Sequence, residues 1–312
     1  MAPASPPEAK STFPRHRGRG HAVDSGLRRN DLLRKVLLAP AKLHLMRTEI
    51  SPGISLSYQL NGSGQTVVFL HPFPMDHRLW QSQVKHFAPH YQVLAVDLRG
   101  FGNSDGFGAQ TPSIEQMADD LNALLDVLKI TEPIVLCGLS IGGYVALRFA
   151  QKYVSRLRGL VICDSRAQAD NDETKAGRDR MIAFAREHSS VEIVEKVLSG
   201  LLGKTSLRTR PELIERVKEI GSAQSQQAIL DALVALRDRP DATAWLSKIT
   251  IPTLLIFGAE DVLAPSHVIE TLQSELPNAT LIKLPKAGHF SALEQPEMFN
   301  EALEKFLTKV LL

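Results

Sequence analysis

The feature that most constrains this chain is an apolar run that ends in a serine set between glycines and continues as a helix. Ile134–Cys137 reads as a buried strand, Gly138-Leu139-Ser140-Ile141-Gly142 follows with Gly143 behind it, and Ile141–Tyr153 keeps helical periodicity. A strand turns this sharply into a helix only where side chains are absent at the points of closest approach, and the turn holds its serine in a strained backbone conformation. The rest of the chain has the matching rhythm. Ile54–Leu60, Thr66–Leu70, Tyr91–Val96, Leu157–Cys163, Thr253–Phe257 and Thr280–Leu284 read as strands. Helical segments lie between them: one opened by Ser113 with Gln116 as a capping box, then Pro265–Glu275 and Pro296–Leu311. This alternation predicts an α/β fold with a mostly parallel central sheet and helices on both faces.

Residues 166–247 interrupt the rhythm. They are charged and strand-poor, and Arg178–Glu187, Val191–Leu202, Pro211–Ile220 and Ala228–Arg237 read as successive amphipathic helices. We expect a helical lid there, over the carboxyl edge of the sheet where ligands collect in such folds. The core is then residues 46–165 together with 248–312.

A chain of 312 residues, 44% hydrophobic and 22% charged, can bury a substantial core. Its longest apolar runs, such as Ile251–Gly258, stop short of the ~20 residues a membrane helix needs, so no membrane association is expected. Residues 1–45 carry nine Lys+Arg against three Asp+Glu, whereas the whole chain carries 36 against 34. The body is therefore mildly acidic, which gives no support to nucleic-acid binding. Residues 1–45 lack periodicity and are rich in Pro, Ala, Ser and basic residues. We expect a disordered or non-native extension, with Met46 as the true start, and we see no secretory signal pattern. Cys137 and Cys163 both fall in strand-like runs and read as buried thiols of a reducing, cytoplasmic compartment.

A serine hydroxyl is a weak nucleophile near neutral pH and needs a positioned base, which in turn needs an orienting acid. His289, in Lys286-Ala287-Gly288-His289-Phe290, and Asp261, in Phe257-Gly258-Ala259-Glu260-Asp261, each follow a strand, so both are expected at the sheet edge that carries Ser140. Asp164 also ends a strand and is a rival for the acid; Glu260 should point elsewhere. The oxyanion needs two backbone N–H donors. Ile141 is one candidate, and Phe73 is the other because Pro72 and Pro74 have no N–H. His71 is expected to be a structural hydrogen-bonder, Asp97 and Arg99 to share a turn network, and His77, His86 and His267 to be ordinary loop or surface residues. Met75 and Trp80 are candidates for the acyl pocket, with a core role as the alternative. Arg166 is a candidate for binding a substrate carboxylate, or for a lid salt bridge with Asp170 or Asp172, and Trp245 is assigned to packing. No cluster has metal-ligand spacing and no phosphate-binding glycine motif appears, so neither metal nor cofactor is expected.

Residues 50–310 resemble the α/β-hydrolase superfamily. The likeness rests on His71-Pro72-Phe73-Pro74, Asp97-Leu98-Arg99-Gly100-Phe101-Gly102-Asn103-Ser104, Gly138–Gly143, Gly258–Asp261, Gly288-His289-Phe290 and the order Ser140, Asp261, His289. Within it, the chain is most similar to the esterase and 3-oxoadipate enol-lactonase-like group. The resemblance implies a serine hydrolase that cleaves a small carboxylic ester or lactone through an acyl-enzyme on Ser140, without a cofactor. Ser140 separates it from haloalkane dehalogenases and epoxide hydrolases, which carry Asp at that position. His71-Pro72 departs from the family's His-Gly, which alters loop stiffness but not the donor at Phe73. The alternatives are a carbon–carbon bond hydrolase of vinylogous diketones and a non-catalytic ligand-binding protein on the same fold.

Overall fold

The runs read as strands pair with one another. The computed structural model describes residues 44–311. Among them β1 (Leu45–Ser51), β2 (Ile54–Asn61), β3 (Thr66–Leu70), β4 (Gln92–Val96), β5 (Ile134–Leu139), β6 (Leu157–Cys163), β7 (Thr253–Gly258) and β8 (Ala279–Leu284) form one sheet in the order β1-β2-β4-β3-β5-β6-β7-β8. β1 pairs with β2, and β2 with β4, in antiparallel fashion; every other pairing is parallel. β3, β5 and β7 are buried along their whole length. Helices cover both faces of these strands, which is why they are continuous apolar runs rather than alternating ones.

The pleat divides the core in two. Val68 and Leu70 of β3 join Leu136 of β5 and helices Ile114–Val127 and Ile141–Lys152 on one face. Val67 and Phe69 join Val135, Trp80, Phe87 and the C-terminal helix Pro296–Leu311 on the other. The expected cap at Ser113 accepts from Gln116 N and opens Ile114–Val127. Arg99 binds both carboxylate oxygens of Asp120 at 2.6 Å, with both side chains buried.

Between β6 and β7 the chain forms helices Asp172–Glu187, Ser190–Leu201, Lys204–Thr209, Pro211–Ser222 and Gln226–Asp238. Asp172–Glu187 packs on Gln226–Asp238, and Ser190–Leu201 packs on Pro211–Ser222. The first helix starts six residues before the expected Arg178, because Asn171 accepts from Thr174 N as its cap and Asp172 and Glu173 occupy its first turn.

The expectation for residues 1–45 lies, apart from His44 and Leu45, outside the described residues. Leu45 and Met46 both belong to β1. Among the described residues no helix is long and apolar enough to cross a membrane. Cys137 and Cys163 are buried free thiols with sulfurs 3.8 Å apart.

Candidate active site

The elbow after β5 fixes the serine. Ser140 has φ 54° and ψ −114°, a conformation that costs on the order of 1–3 kcal/mol for a residue other than glycine. Its N–H donates to the Cys163 carbonyl at 2.9 Å, so the β5–β6 ladder continues into the bend. Its carbonyl accepts from Gly143 N at 2.9 Å and from Ser165 Oγ at 2.9 Å. A Cβ at Gly142 would lie 2.3 Å from the Leu70 carbonyl oxygen, so the new helix can approach β3 only because that side chain is missing.

The loops after β7 and β8 bring the partners. His289 Nε2 lies 2.8 Å from Ser140 Oγ, and His289 Nδ1 lies 2.9 Å from Asp261 Oδ2. Asp261 Oδ1 accepts from Leu263 N at 2.7 Å, and the Asp261 side chain is 0% exposed. An Nδ1–H donated to Asp261 leaves Nε2 free to accept the serine proton. The rival Asp164 accepts from Gly258 N at 2.8 Å and from Ser291 Oγ, and makes no hydrogen bond to His289. Burial, reinforced by the neighbouring Asp261 charge, pushes the Asp164 carboxyl well above the usual range. Glu260 points away from the histidine and accepts from Thr205 N at 2.7 Å and Thr205 Oγ1 at 2.6 Å.

Phe73 follows β3, and Ile141 is the first residue of the helix after Ser140. Among the described residues neither N–H has a protein acceptor. For Ile141 this follows from its place at a helix N-terminus, where the amides have no intrahelical partner. Phe73, Ser140, Tyr144, Arg166, Leu263 and His289 are among the residues lining one cavity of about 90 Å³. A larger groove of about 440 Å³, between β8 and Pro296–Leu311, is lined by none of Ser140, Asp261 and His289.

The other candidate residues include both agreements with expectation and departures from it. Met75 and Trp80 do not line the cavity. Both are 0% exposed in the core, where Trp80 packs on Phe69 and Phe299 at centroid distances of 4.9 and 5.8 Å. Arg166 does line it, but forms no salt bridge with Asp170 or Asp172; its Nη2 donates to the Leu263 carbonyl at 2.5 Å. His77 is buried rather than at the surface, with Nδ1 2.6 Å from Asp97 Oδ1. Asp97 therefore serves His77 while Arg99 serves Asp120, so the two do not share a network. Burial pushes the His71 imidazole down, and its Nε2 accepts from Leu98 N at 3.0 Å, a structural role. Trp245 is partly exposed, with Lys248 Nζ 4.1 Å from its ring centroid.

The sequence reading passed over Glu294, a fully buried side chain that ties the histidine loop to the helical block. Its oxygens accept from Gly288 N at 2.8 Å and Gly203 N at 2.9 Å, and burial pushes its carboxyl up. The two segments touch backbone to backbone: a Cβ at Gly288 would lie 2.2 Å from Gly203 N. Glu294→Gln is expected to place an amide NH₂ against one of these N–H groups, at a cost of about 1–3 kcal/mol. The urea midpoint should fall, and kcat should fall more than KM rises, because Gly288 precedes His289. Unchanged denaturation would refute this role.

Comparisons with known proteins agree with this architecture. Residues 65–296 match the family described as alpha/beta hydrolase fold. A pimeloyl-[acyl-carrier protein] methyl ester esterase of Pectobacterium atrosepticum is 31% identical over 258 residues, covering 81% of this chain and 98% of that protein. 3-Oxoadipate enol-lactonase 2 of Acinetobacter baylyi is 26% identical, covering 85% of this chain and 98% of its own. The solved structure of a thermophilic esterase from Thermogutta terrifontis, with malate bound, superposes with a TM-score of 0.81 at 35% identity, covering 86% of this chain and 99% of that one. With its family match spanning the elbow and the acid and histidine loops, this chain belongs to the alpha/beta hydrolase fold family.

Proposed function

We propose that this protein hydrolyses small carboxylic esters or lactones through an acyl-enzyme on Ser140. The observation that carries the reading is the hydrogen-bonded line from Ser140 Oγ through His289 to Asp261, at a cavity lined by Phe73, Ser140 and His289. His289 Nε2 takes the serine proton as Oγ attacks the carbonyl. The Phe73 and Ile141 N–H groups hold the oxyanion, each worth about 2.7–4 kcal/mol in the transition state. Asp261 fixes the imidazole tautomer and stabilises the imidazolium. His289 then gives its proton to the departing alcohol, or to the ring oxygen of an opened lactone. Water, deprotonated by the same nitrogen, attacks the acyl-enzyme and releases the acid. The small cavity supports a short acyl group. Esterases and an enol-lactonase among the relatives support the same bond class. The test is a fluorophosphonate probe followed by peptide mapping. The expected result is one adduct, on the peptide carrying Ser140, with matching loss of p-nitrophenyl butyrate hydrolysis; labelling elsewhere at full inactivation would overturn the assignment.

A further inference from the structure

The turn between helices Pro211–Ser222 and Gln226–Asp238 is tied to the α/β body through one side chain. Gln224 is 4% exposed, and loops of the body hold both ends of its amide. Its Nε2 donates to Asp76 Oδ2 at 2.8 Å and to the Ile220 carbonyl at 2.9 Å, and its Oε1 accepts from Gly102 N at 2.9 Å. Its own carbonyl accepts from Ser190 Oγ at 2.6 Å, so the turn is fixed from the helical side as well. Asp76 follows β3 and Gly102 follows β4. An amide suits this position because it donates to a carboxylate and accepts from an N–H at once. Burial works to raise the Asp76 carboxyl, but the hydrogen bonds and charge of Arg78, with the hydrogen bond from Gln224, hold it below the usual range. Asp76 is therefore ionised, and the bond it accepts from Gln224 is charge-assisted.

Both anchors flank Phe73. Asp76 lies three residues beyond it and caps the short helix His77–Trp80, accepting from Arg78 N at 2.9 Å. Gly102 adjoins Phe101, whose ring meets the Phe73 ring edge-on at 6.5 Å between centroids and the His71 imidazole at 5.1 Å. The helix that leads into Gln224 reaches the same segment: a Cβ at Gly221 would lie 3.6 Å from Pro74 Cγ. Asp97 ties the loops after β3 and β4 to each other, accepting from His77 N at 2.8 Å. Gln224 ties both loops to the helical block. An N–H serves an oxyanion only while it stays within about 2.7–3.1 Å of the place the oxygen will occupy, so tethers on either side of Phe73 bear directly on that donor.

We propose that Gln224 is a positioning residue: through Asp76 and Gly102 it sets the Phe73 N–H for the developing oxyanion, so that the oxyanion hole is complete only while the helical block is seated. This rests on the ester-hydrolase reading and deepens its oxyanion step. Gln224 does not line the cavity of Ser140, so it acts on the reaction only through the loops it holds.

The experiment compares the wild type with Gln224→Met, which keeps the length of the side chain and removes both polar ends. Fluorophosphonate labelling, run to completion, first counts active sites, so that misfolded protein does not enter kcat. For p-nitrophenyl butyrate, kcat per active site should fall about 30-fold with KM within about twofold, as for a donor moved by a fraction of an ångström. Outright loss of an oxyanion donor would cost about 10²–10³-fold. The second readout is inhibition by a trifluoromethyl ketone. Its carbonyl carbon bonds to Ser140 Oγ, the serine proton passes to His289, and the carbonyl oxygen becomes an oxyanion. Its Ki should rise about 30-fold as well, in step with the fall in kcat/KM, because it is held as the transition state is. A role confined to stability would lower Tm and the count of active sites and leave kcat per site and Ki unchanged. Asp76→Asn keeps the cap oxygen for Arg78 N but turns an amide NH₂ toward Gln224 Nε2. It should show the same signature, and adding Gln224→Met to it should cost little more. Asp76→Asn carries the test should Gln224→Met fail to fold. In the variant that folds, kcat per active site within about threefold of the wild type, or a Ki that stays put while kcat falls, overturns the proposal. A wild type that cleaves no ester and takes no label at Ser140 overturns the hydrolase reading instead.

Discussion

Ser140→Ala is expected to lower kcat for p-nitrophenyl butyrate by about a million-fold, close to the full effect of dismantling a serine–histidine–acid unit. The loss is this large because the Oγ that lies 2.8 Å from His289 Nε2 is the atom that would form the acyl bond, and no neighbouring hydroxyl can replace it. Ser165 Oγ lies in the same cavity wall, but it is spent on the Ser140 carbonyl at 2.9 Å. What survives should be the modest catalysis of oxyanion binding alone. The fold should survive too, and a companion variant makes that a quantitative statement. Ser140 sits at φ 54°, a strain that alanine keeps and glycine relieves. Ser140→Gly should therefore be as inactive as Ser140→Ala, yet more stable by about 1 kcal/mol. Steady-state kinetics and urea denaturation measure both, and residual activity at the percent level in either variant would sink the nucleophile assignment.

Much of this site was legible in the sequence because its parts are tied to strand ends. A serine between glycines after an apolar run can only sit at a carboxyl edge, and a parallel sheet delivers the loops after β7 and β8 to the same edge. What the sequence could not decide is where long-range packing chooses among equals. Asp164 and Asp261 both follow strands; only the loop geometry gives His289 to Asp261 and Ser291 to Asp164. Met75 and Trp80 lie close to Phe73 in sequence, but the C-terminal helix brings Phe299 against Trp80 from the far end of the chain, and both side chains are buried in the core. Arg166 had Asp170 within four positions, yet Arg239 took that carboxylate across the helical block. β1 went unrecognised for the opposite reason: it is an edge strand whose alternating exposed positions, Arg47 and Glu49 among them, look like continuation of a polar tail. Glu294 carried no motif at all, and only its burial against Gly203 and Gly288 reveals it.

Asp261→Asn and Asp164→Asn are expected to differ by orders of magnitude although the substitution is the same. At position 261 an amide NH₂ facing His289 Nδ1 turns that nitrogen into an acceptor, so Nε2 carries the proton and cannot take one from Ser140. The expected loss is about 10⁴-fold in kcat with little change in KM. At position 164 the outcome is opposite. Burial and the Asp261 charge push the Asp164 carboxyl well above its usual range, toward the neutral form that asparagine copies: Oδ1 still accepts from Gly258 N, and Nδ2 can donate to Ser291 Oγ. Most of the activity should remain. Stability supplies a second, independent readout. A carboxyl whose folded pKa is raised contributes fully at pH below its unfolded pKa, and that contribution is lost as pH rises through the folded value. The wild type should therefore lose stability with rising pH across that window, and Asp164→Asn should flatten the slope in urea midpoints measured from about pH 4 to pH 9. If instead Asp164→Asn abolishes turnover and Asp261→Asn spares it, the acid of the triad is Asp164, and the hydrogen bond between His289 and Asp261 is a resting-state contact that the reaction does not use.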